Sequence, residues 1–198
     1  DVVDGFLARR WNLVTVVGGG YHNLALRADG TVVGWGNNAN GQTNIPVGLS
    51  NVIAVAAGGS HSLALQSDST VTGWGLNDYG QSSPPTSASN VVELACGNLH
   101  SAALRADGTV VAWGFNGSGE TNVPTNLSNV IALAAGSYHT LALKNNGTVV
   151  GWGAGVIGPA RSVPANLTNV VAIEGGGDHS IALKSDGTVI AWGDNYSG

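Results

Sequence analysis

The sequence predicts an all-β fold, a β-propeller of about five blades built from 39–40-residue repeats. Five histidines recur at spacings of 39, 39, 39 and 40 residues. Five of the six tryptophans each follow one of these histidines by thirteen residues, so five copies of one unit stay in register. The 31 glycines favour tight turns between short strands over helices. The repeated positions are His22, His61, His100, His139 and His179, with Trp35, Trp74, Trp113, Trp152 and Trp192.

Each repeat contains three apolar runs in a fixed order. In the second repeat, residues 51–57 form the first run, two glycines turn the chain, and His61 opens the second run. In most copies an Asp-Gly-Thr or Asn-Gly-Thr turn, a strong hairpin signal, leads to the third run, which ends at the tryptophan. A polar loop follows and has room for a short fourth strand at the outer edge. We expect one domain, 1–198, with repeats at about 12–50, 51–89, 90–128, 129–168 and 169–198.

The first run of each repeat alternates large and small side chains, a period of two that indicates a strand. Because both faces of the runs are apolar, we expect both to be buried between neighbouring sheets. Residues 1–11 would complete the last blade, and five blades would close in a ring. The alternative is that the chain forms part of a larger ring. The large residues are Val14 and Val16, Ile53 and Val55, Val92 and Leu94, Ile131 and Leu133, and Val171 and Ile173.

Composition limits the classes of function. The net charge is −5, and the seven Lys and Arg residues are not clustered. Phosphate binding needs clustered positive charge, so we expect no nucleic-acid partner. No apolar run approaches the roughly 20 residues that cross a membrane, so we expect no membrane insertion, and no signal peptide is visible. The chain begins at Asp1 and has no methionine, which indicates a processed mature chain or a fragment.

The repeated histidines and tryptophans are interpreted as structural. Equivalent positions on neighbouring blades are expected about 10 Å apart, so the histidines cannot meet at one metal ion, which needs nitrogen ligands at about 2.0–2.1 Å. Asp178 and His179 are adjacent in a strand and point to opposite faces, which disfavours a catalytic pair. Cys96 stands where other copies have Gly or Ala, which predicts a buried, inert thiol. We identify no catalytic residue, metal ligand or cofactor, and predict that the chain is not an enzyme.

Two glutamates interrupt the small face of the first run. Glu93 and Glu174 replace alanines found in other copies. A buried and unpaired carboxylate is costly, so each is expected to reach the end of the ring or its channel. A ligand contact in the central channel is the functional alternative.

The loops that follow the tryptophans vary most among the repeats. Variable loops on a rigid scaffold often carry binding residues. Three aromatic residues in these loops, Tyr79, Phe115 and Tyr196, are therefore candidate anchors for another protein. The sequence thus favours a non-enzymatic protein–protein interaction module that presents its loops to a partner.

The repeat resembles that of the regulator of chromosome condensation repeat family. The shared residues read Gly-x-x-His-Ser-x-Ala-Leu, then Asp-Gly-Thr-Val-x-x-Trp-Gly and Asn-x-x-Gly-Gln, over about residues 12–198. The resemblance implies a β-propeller. Members with longer repeats, usually seven, include a nucleotide-exchange factor for a small nuclear GTPase. Members with short, bacterial-type repeats, which are similar in length to those here, include a secreted inhibitor of β-lactamase.

The resemblance to the short-repeat members implies further binding positions. Those proteins bind through aromatic residues on loops at one face, many of them beside the histidine. Of the five positions that match, two are aromatic, and Tyr21, Tyr138 and Asp178 join the candidate binding residues. An extracellular or cell-surface location is an expectation of the same kind. The matching positions are Tyr21, Ser60, Leu99, Tyr138 and Asp178.

Self-assembly into a structural or surface protein is the second functional hypothesis. The segment 1–11 departs from the repeat, and it contains the sixth tryptophan. These residues either pack under the ring or contact another copy, as the outer edge strands could also do. The partner is accordingly another protein or a second copy of the chain. The candidate assembly residues are Phe6, Arg9, Arg10 and Trp11.

Overall fold

A computed structural model describes residues 13–153 and 162–195, which fold into fifteen short strands. Each repeat contributes three strands, and each second strand begins at the repeated histidine. The strands are β1 (Leu13–Gly18), β2 (His22–Arg27), β3 (Val32–Gly36), β4 (Val52–Ala57), β5 (His61–Gln66), β6 (Val71–Gly75), β7 (Val91–Cys96), β8 (His100–Arg105), β9 (Val110–Gly114), β10 (Val130–Ala135), β11 (His139–Lys144), β12 (Val149–Gly153), β13 (Val170–Gly175), β14 (His179–Lys184) and β15 (Val189–Gly193).

The strands form five separate three-stranded antiparallel sheets, one for each repeat. In every sheet the second strand is central, and the strands lie side by side in chain order. The register is the same in all copies: in the second sheet His61 lies opposite Gly75, and Ser62 lies opposite Trp74. The prediction of an all-β propeller fold with five repeated blades is confirmed. The described loops form no fourth strand, so the expected outer edge strand is absent from this part of the chain.

The turn between the second and third strands follows from its sequence. Asp29 Oδ1 accepts hydrogen bonds from the backbone N–H of Thr31 at 2.9 Å and from its hydroxyl at 2.6 Å. Gly30 sits between them at φ +77°, a conformation that costs glycine little. In the second repeat Ser69 takes the same conformation at φ 67°. Because the Asp and Thr bonds remain there, one substitution does not alter the turn.

The expectation that both large residues of the first strand are buried is wrong for the first of them. Ile53 is 55% exposed, whereas Val55, two residues later, is buried. The cause is a shift of register between Val52 and Ala54, a β-bulge in which Ile53 is extra to the ladder. The third, fourth and fifth sheets have the same bulge, and it exposes Val92, Ile131 and Val171.

The core lies between neighbouring sheets. Leu63 and Leu65 of β5 are fully buried and belong to one cluster with Val91, Ala103 and Trp113 of the next blade. Burying a leucine side chain stabilises a fold by about 1.5–3 kcal/mol. The alanine at the centre of a second strand lets the preceding sheet approach closely, so the leucines of one blade pack on a strip of small residues on the next.

The expected closure of five blades into a ring is not seen in the described part of the chain. Each sheet packs on the next, but the fifth sheet makes no more than marginal contacts with the first. Ile181 and Leu183, at the positions of the buried Leu63 and Leu65, are exposed. At the other end Trp35 is 47% exposed, whereas Trp74 is 8% exposed. The five described blades therefore form an open arc, and no other described residues cover its two end faces.

Candidate functional site

The strands place their connections on two opposite faces of the arc. The first, called here the loop face, carries the residue before each repeated histidine and the described loops that follow the tryptophan strands. A backbone hydrogen bond joins these two segments within a blade, for example from Leu76 N to Ser60 O at 2.9 Å. The second, called here the turn face, carries the Asp-Gly-Thr turns. The loop face therefore gathers the variable segments that the structure describes.

The repeated histidines join neighbouring blades. His61 Nε2 lies 2.9 Å from Ser101 Oγ of the next blade, and that hydroxyl donates to the backbone carbonyl of Gln81 at 2.9 Å. Because the single hydroxyl proton is used in that bond, His61 must be the donor and carries its proton on Nε2. His22, His100 and His139 make the matching contacts with Ser62, Thr140 and Ser180 at 2.8–2.9 Å.

Burial keeps these histidines neutral. Loss of solvent, together with smaller contributions from the neighbouring His100 and His22, lowers the pKa of His61 to about 3. Desolvation likewise lowers the pKa of His100 and of His139 to about 4. The Nδ1 atom of His61 has no hydrogen-bond partner, so a second proton there would be buried without an acceptor. The ring serves as a neutral structural donor, not as an acid or base.

The same Gln81 carbonyl receives a second bond that sequence reasoning missed. The indole N–H of Trp113 donates to Gln81 O at 2.9 Å, in addition to the Ser101 hydroxyl. Gln42 O and Glu120 O occupy equivalent positions and accept from the tryptophans of the following blades. The repeated Gly-Gln pair signalled this position, but only the structure shows that its backbone binds two side chains. Trp74, Trp113 and Trp152 are buried by this contact.

The structure brings two candidate anchors of the loop face into contact. The rings of Tyr79 and Phe115 belong to the loops of adjacent blades, and their centroids lie 4.9 Å apart at an interplanar angle of 69°. This edge-to-face geometry is favourable for aromatic pairs. Tyr79 remains 52% exposed and Phe115 is partly buried. A Cβ at Gly117 would collide with the Phe115 ring, so that glycine makes room for it.

Hydrogen bonds among its own residues stabilise the loop that carries Tyr79. Gln81 Oε1 accepts a hydrogen bond from Tyr79 N at 2.9 Å. Asn77 accepts from Ser82 N at 3.1 Å and donates to the Ser83 hydroxyl at 2.8 Å. A loop that is already ordered loses less entropy when it binds. The aromatic pair is thus a preformed, partly exposed surface.

Three further candidate binding residues, Tyr21, Tyr138 and Asp178, lie elsewhere on the loop face. Tyr21 is 80% exposed, and Tyr138 and Asp178 are also exposed. Neither Tyr21 nor Tyr138 stacks on another described aromatic ring. Tyr196 and the assembly candidates Phe6, Arg9, Arg10 and Trp11 lie outside the described residues.

Glu93 and Glu174 lie on the side of the arc that is lined by the first strand of each sheet. Both line a cavity of about 310 Å³. Glu93 Oε2 accepts a hydrogen bond from Leu133 N at 3.2 Å on the next blade, and desolvation raises its pKa, as does the charge of Glu174. Cys96 lines the same cavity, and desolvation raises the pKa of its thiol to about 12. Cys96 is therefore poorly suited to act as a nucleophile.

Within 13–153 and 162–195, no group of three or more His, Cys, Asp and Glu side chains is arranged to hold a metal ion. This part of the chain also lacks a helix with the length and hydropathy needed to span a membrane. The loop face, with its aromatic pair, is the candidate functional site.

Solved structures with the same fold are known. Prp20p from Saccharomyces cerevisiae, described with its binding to Gsp1p and histones, aligns with a TM-score of 0.76 and 24% identity over 91% of this chain and 57% of its own. Yeast Prp20 bound to Kap60 aligns with a TM-score of 0.75 and 25% identity, over 91% of this chain and 56% of its own. Human WBSCR16 aligns with a TM-score of 0.75 and 23% identity, over 91% of this chain and 61% of its own. This chain thus spans little more than half the length of these structures. No curated protein sequence matches it.

The repeats themselves match one family. The pattern described as the regulator of chromosome condensation (RCC1) repeat matches residues 13–42, 52–81, 91–120, 130–156 and 170–198. These ranges contain every described strand, the histidine–hydroxyl contacts and most of the loop that carries Tyr79. The chain belongs to the regulator of chromosome condensation repeat family.

Proposed function

We propose that the chain is a non-enzymatic protein-binding module whose loop face contacts another protein. The observation that carries this proposal is the exposed contact between Tyr79 and Phe115, which joins two blades. Aromatic residues are enriched among the side chains that dominate binding energy at protein interfaces. The binding of Prp20p to Gsp1p and histones, and of Prp20 to Kap60, supports a protein partner for a related propeller.

The chemistry of the repeats supports binding over catalysis. The buried histidines are neutral and hydrogen-bonded to Ser and Thr hydroxyls, and the Cys96 thiol has a raised pKa. The Ser and Thr hydroxyls that lie beside these histidines are fully buried, so a substrate has no access to them. The resemblance of the short repeats to a secreted propeller supports an extracellular or cell-surface location as part of the same proposal.

Two variants taken from the chain's own repeats test this proposal. Ser118 occupies the position of Tyr79 in the next repeat, and Asn37 occupies the position of Phe115 in the first. The double variant Y79S/F115N therefore removes both rings with residues that the fold already accepts there. The control D107N changes the turn face, where Asn146 makes the same turn bonds to Thr148.

Wild type and both variants, immobilised at equal density, are exposed to a lysate and a surface extract of the source cells. We expect a partner that wild type and D107N retain and that Y79S/F115N loses by at least tenfold. Equal capture by all three proteins would reject the loop face as the binding surface. Urea denaturation of each variant confirms that the propeller is folded.

Self-association through the end faces is a second candidate function. The four blade junctions repeat one set of contacts, and each end face carries half of that set. On the fifth blade His179, Ile181 and Leu183 are exposed where inner blades bury their equivalents. On the first blade Val16 and Trp35 are exposed where Val55 and Trp74 are buried.

Light scattering of the chain over a range of concentrations separates the two candidates. A monomer of 19.8 kDa at every concentration would reject self-association. A mass that rises with concentration, and falls in I181D, would support contact between copies through the end faces. The I181D change lies on the uncovered face, so it leaves the inner junctions unaltered.

A further inference from the structure

The described cations all lie beside the turn face of the arc. The four described Lys and Arg residues each end the second strand of a repeat, beside the turn face, and an Asp or Asn follows two residues later. In the fifth repeat Lys184 Nζ lies 3.4 Å from Asp186 Oδ2. The loop face carries Asp78, Asp178 and Asp194, and no described Lys or Arg. The cations are Arg27, Arg105, Lys144 and Lys184.

One acidic residue of the loop face lies beside the aromatic pair. Asp78 directly precedes Tyr79, whose ring contacts Phe115. Its side chain is exposed and has no hydrogen-bond or ion-pair partner among the described residues. In contrast, Asp107 on the turn face accepts two hydrogen bonds from Thr109. The Asp78 carboxylate is therefore available to a ligand at the edge of an aromatic surface.

A second aromatic residue and carboxylate come together on the fourth and fifth blades. Ser137 N donates to Gly177 O at 3.0 Å, and this bond places the next residues, Tyr138 and Asp178, at equivalent positions of adjacent blades. Both side chains are exposed. The Asp178 carboxylate lies close enough to His139, the residue after Tyr138, to oppose in part the lowering of the His139 pKa by desolvation.

We infer that the loop face binds a basic segment of its protein partner, with Lys or Arg side chains at Asp78, Tyr79 and Phe115 and at Tyr138 and Asp178. A Lys or Arg side chain lays its aliphatic part and its charge on an aromatic ring and pairs with the carboxylate beside it. The net charge of −5 also attracts a cationic segment. This inference rests on the proposed protein-binding function and specifies the chemistry of the partner.

Two sites are needed because each is weak alone. An exposed ion pair and an exposed cation–π contact each change an association constant by about two- to fivefold. Blades are spaced about 10 Å apart, and an eight-residue peptide reaches at most about 28 Å. One extended basic segment can therefore engage both sites at once, and the second contact benefits from a high local concentration.

The test uses fluorescein-labelled octa-arginine and octa-glutamate, measured by fluorescence anisotropy with the full chain at 20 and 150 mM salt. The acidic-site variant is D78N/D178N, and the matched control is the double turn-face variant D68N/D107N. Both remove two carboxylates, and Asn146 shows that asparagine preserves the turn. The variant Y79S/F115N reports the aromatic contribution.

We expect octa-arginine to bind wild type and octa-glutamate not to bind. D78N/D178N should weaken octa-arginine binding at least fivefold at 150 mM salt, and Y79S/F115N at least threefold, whereas D68N/D107N should change it less than twofold. Equal losses in the two charge variants, or no binding of octa-arginine to wild type, would overturn the inference.

A partner isolated in the capture experiment separates this inference from the proposed function. If its binding requires Tyr79 and Phe115 but is unchanged in D78N/D178N and by salt, the basic segment is wrong and the protein-binding function stands. If its binding is unchanged in Y79S/F115N, the proposed function itself fails. If both variants weaken it and salt does as well, both conclusions are supported.

Discussion

His61 and Ser101, on adjacent blades, are joined by a hydrogen bond of 2.9 Å in which the imidazole is the donor. The Ser101 hydroxyl donates a hydrogen bond to Gln81 O, which also accepts one from the Trp113 indole. The repeated histidine and tryptophan therefore belong to one polar network at the blade junction. Because the network is buried, loss of one partner leaves a donor or acceptor without water to replace it.

Removal of the hydroxyl from this network should destabilise the fold. In S101A the His61 donor loses its acceptor, and we expect the free energy of unfolding to fall by about 1–3 kcal/mol. In S101T the hydroxyl remains, and Thr140 already occupies the equivalent position in the fourth blade. We expect S101T to stay within about 1 kcal/mol of wild type. Urea denaturation measures both, and equal stability of S101A and wild type would contradict the network.

Acid should destabilise the protein through its buried histidines. The unfolded histidines bind a proton near pH 6.5, whereas the folded-state pKa is about 3 for His61 and about 4 for His100 and His139. The unfolded state thus binds more protons between these values, so stability is full above pH 6.5 and falls as pH decreases towards 4. The expected slope is about 1 kcal/mol per pH unit for each fully buried histidine.

Urea denaturation between pH 7.5 and 4.5 measures this slope. The variant H61Q, which lacks the imidazole with the lowest pKa of the three, should reduce the slope. A stability that does not change between pH 7 and 5 would contradict neutral buried histidines.

A glycine three residues before each histidine should resist substitution. A Cβ at Gly97 would lie against the His100 ring and 2.6 Å from the carbonyl oxygen of Gly136. We expect G97A to lose at least about 2 kcal/mol, because neither the ring nor the backbone can move without breaking the junction. Gly177 has space for a Cβ, with only the Ser137 hydroxyl at 3.7 Å. G177A should therefore unfold within about 1 kcal/mol of wild type, and similar losses in the two variants would refute the close approach.

The open ends of the arc should tolerate changes that an inner blade does not. Leu63 is fully buried, whereas the equivalent Ile181 is 37% exposed. L63D places a charge in the core and should unfold the protein or cost more than about 3 kcal/mol. I181D should cost less than about 1 kcal/mol in the monomer, as followed by thermal unfolding. If I181D is as damaging as L63D, the end face is covered in solution and the open arc is wrong.

Much of the blade could be predicted from the sequence because the signals are local. The spacing of His61 and Trp74, the alternation within strands and the Asp-Gly turns together fix three strands per repeat. The bulge at Ile53 was missed, since an isoleucine beside small residues looks the same whether its side chain faces the core or solvent. The exposure of the end faces was missed for a related reason. Ile181 has the same sequence surroundings as Leu63, and it is exposed because no described sheet packs on it.

The candidate site was predicted in part. Tyr79 and Phe115 were identified separately as aromatic residues in variable loops. Their contact depends on the angle between adjacent blades, and no pattern within one repeat encodes it. The support of the Tyr79 loop by Gln81 was likewise hidden, because the Gly-Gln pair resembles an ordinary turn until its side chain is seen to hold the loop.

Hydrogen exchange of the captured complex tests the central claim, that the loop face is the binding surface, most directly. If the loop face binds the partner, we expect slower amide exchange in residues 76–81 and 115–119 and unchanged exchange in the turns at 28–31 and 106–109. Protection confined to those turns, or to the end-face strands β1 and β14, with no change around Tyr79 and Phe115, would contradict it.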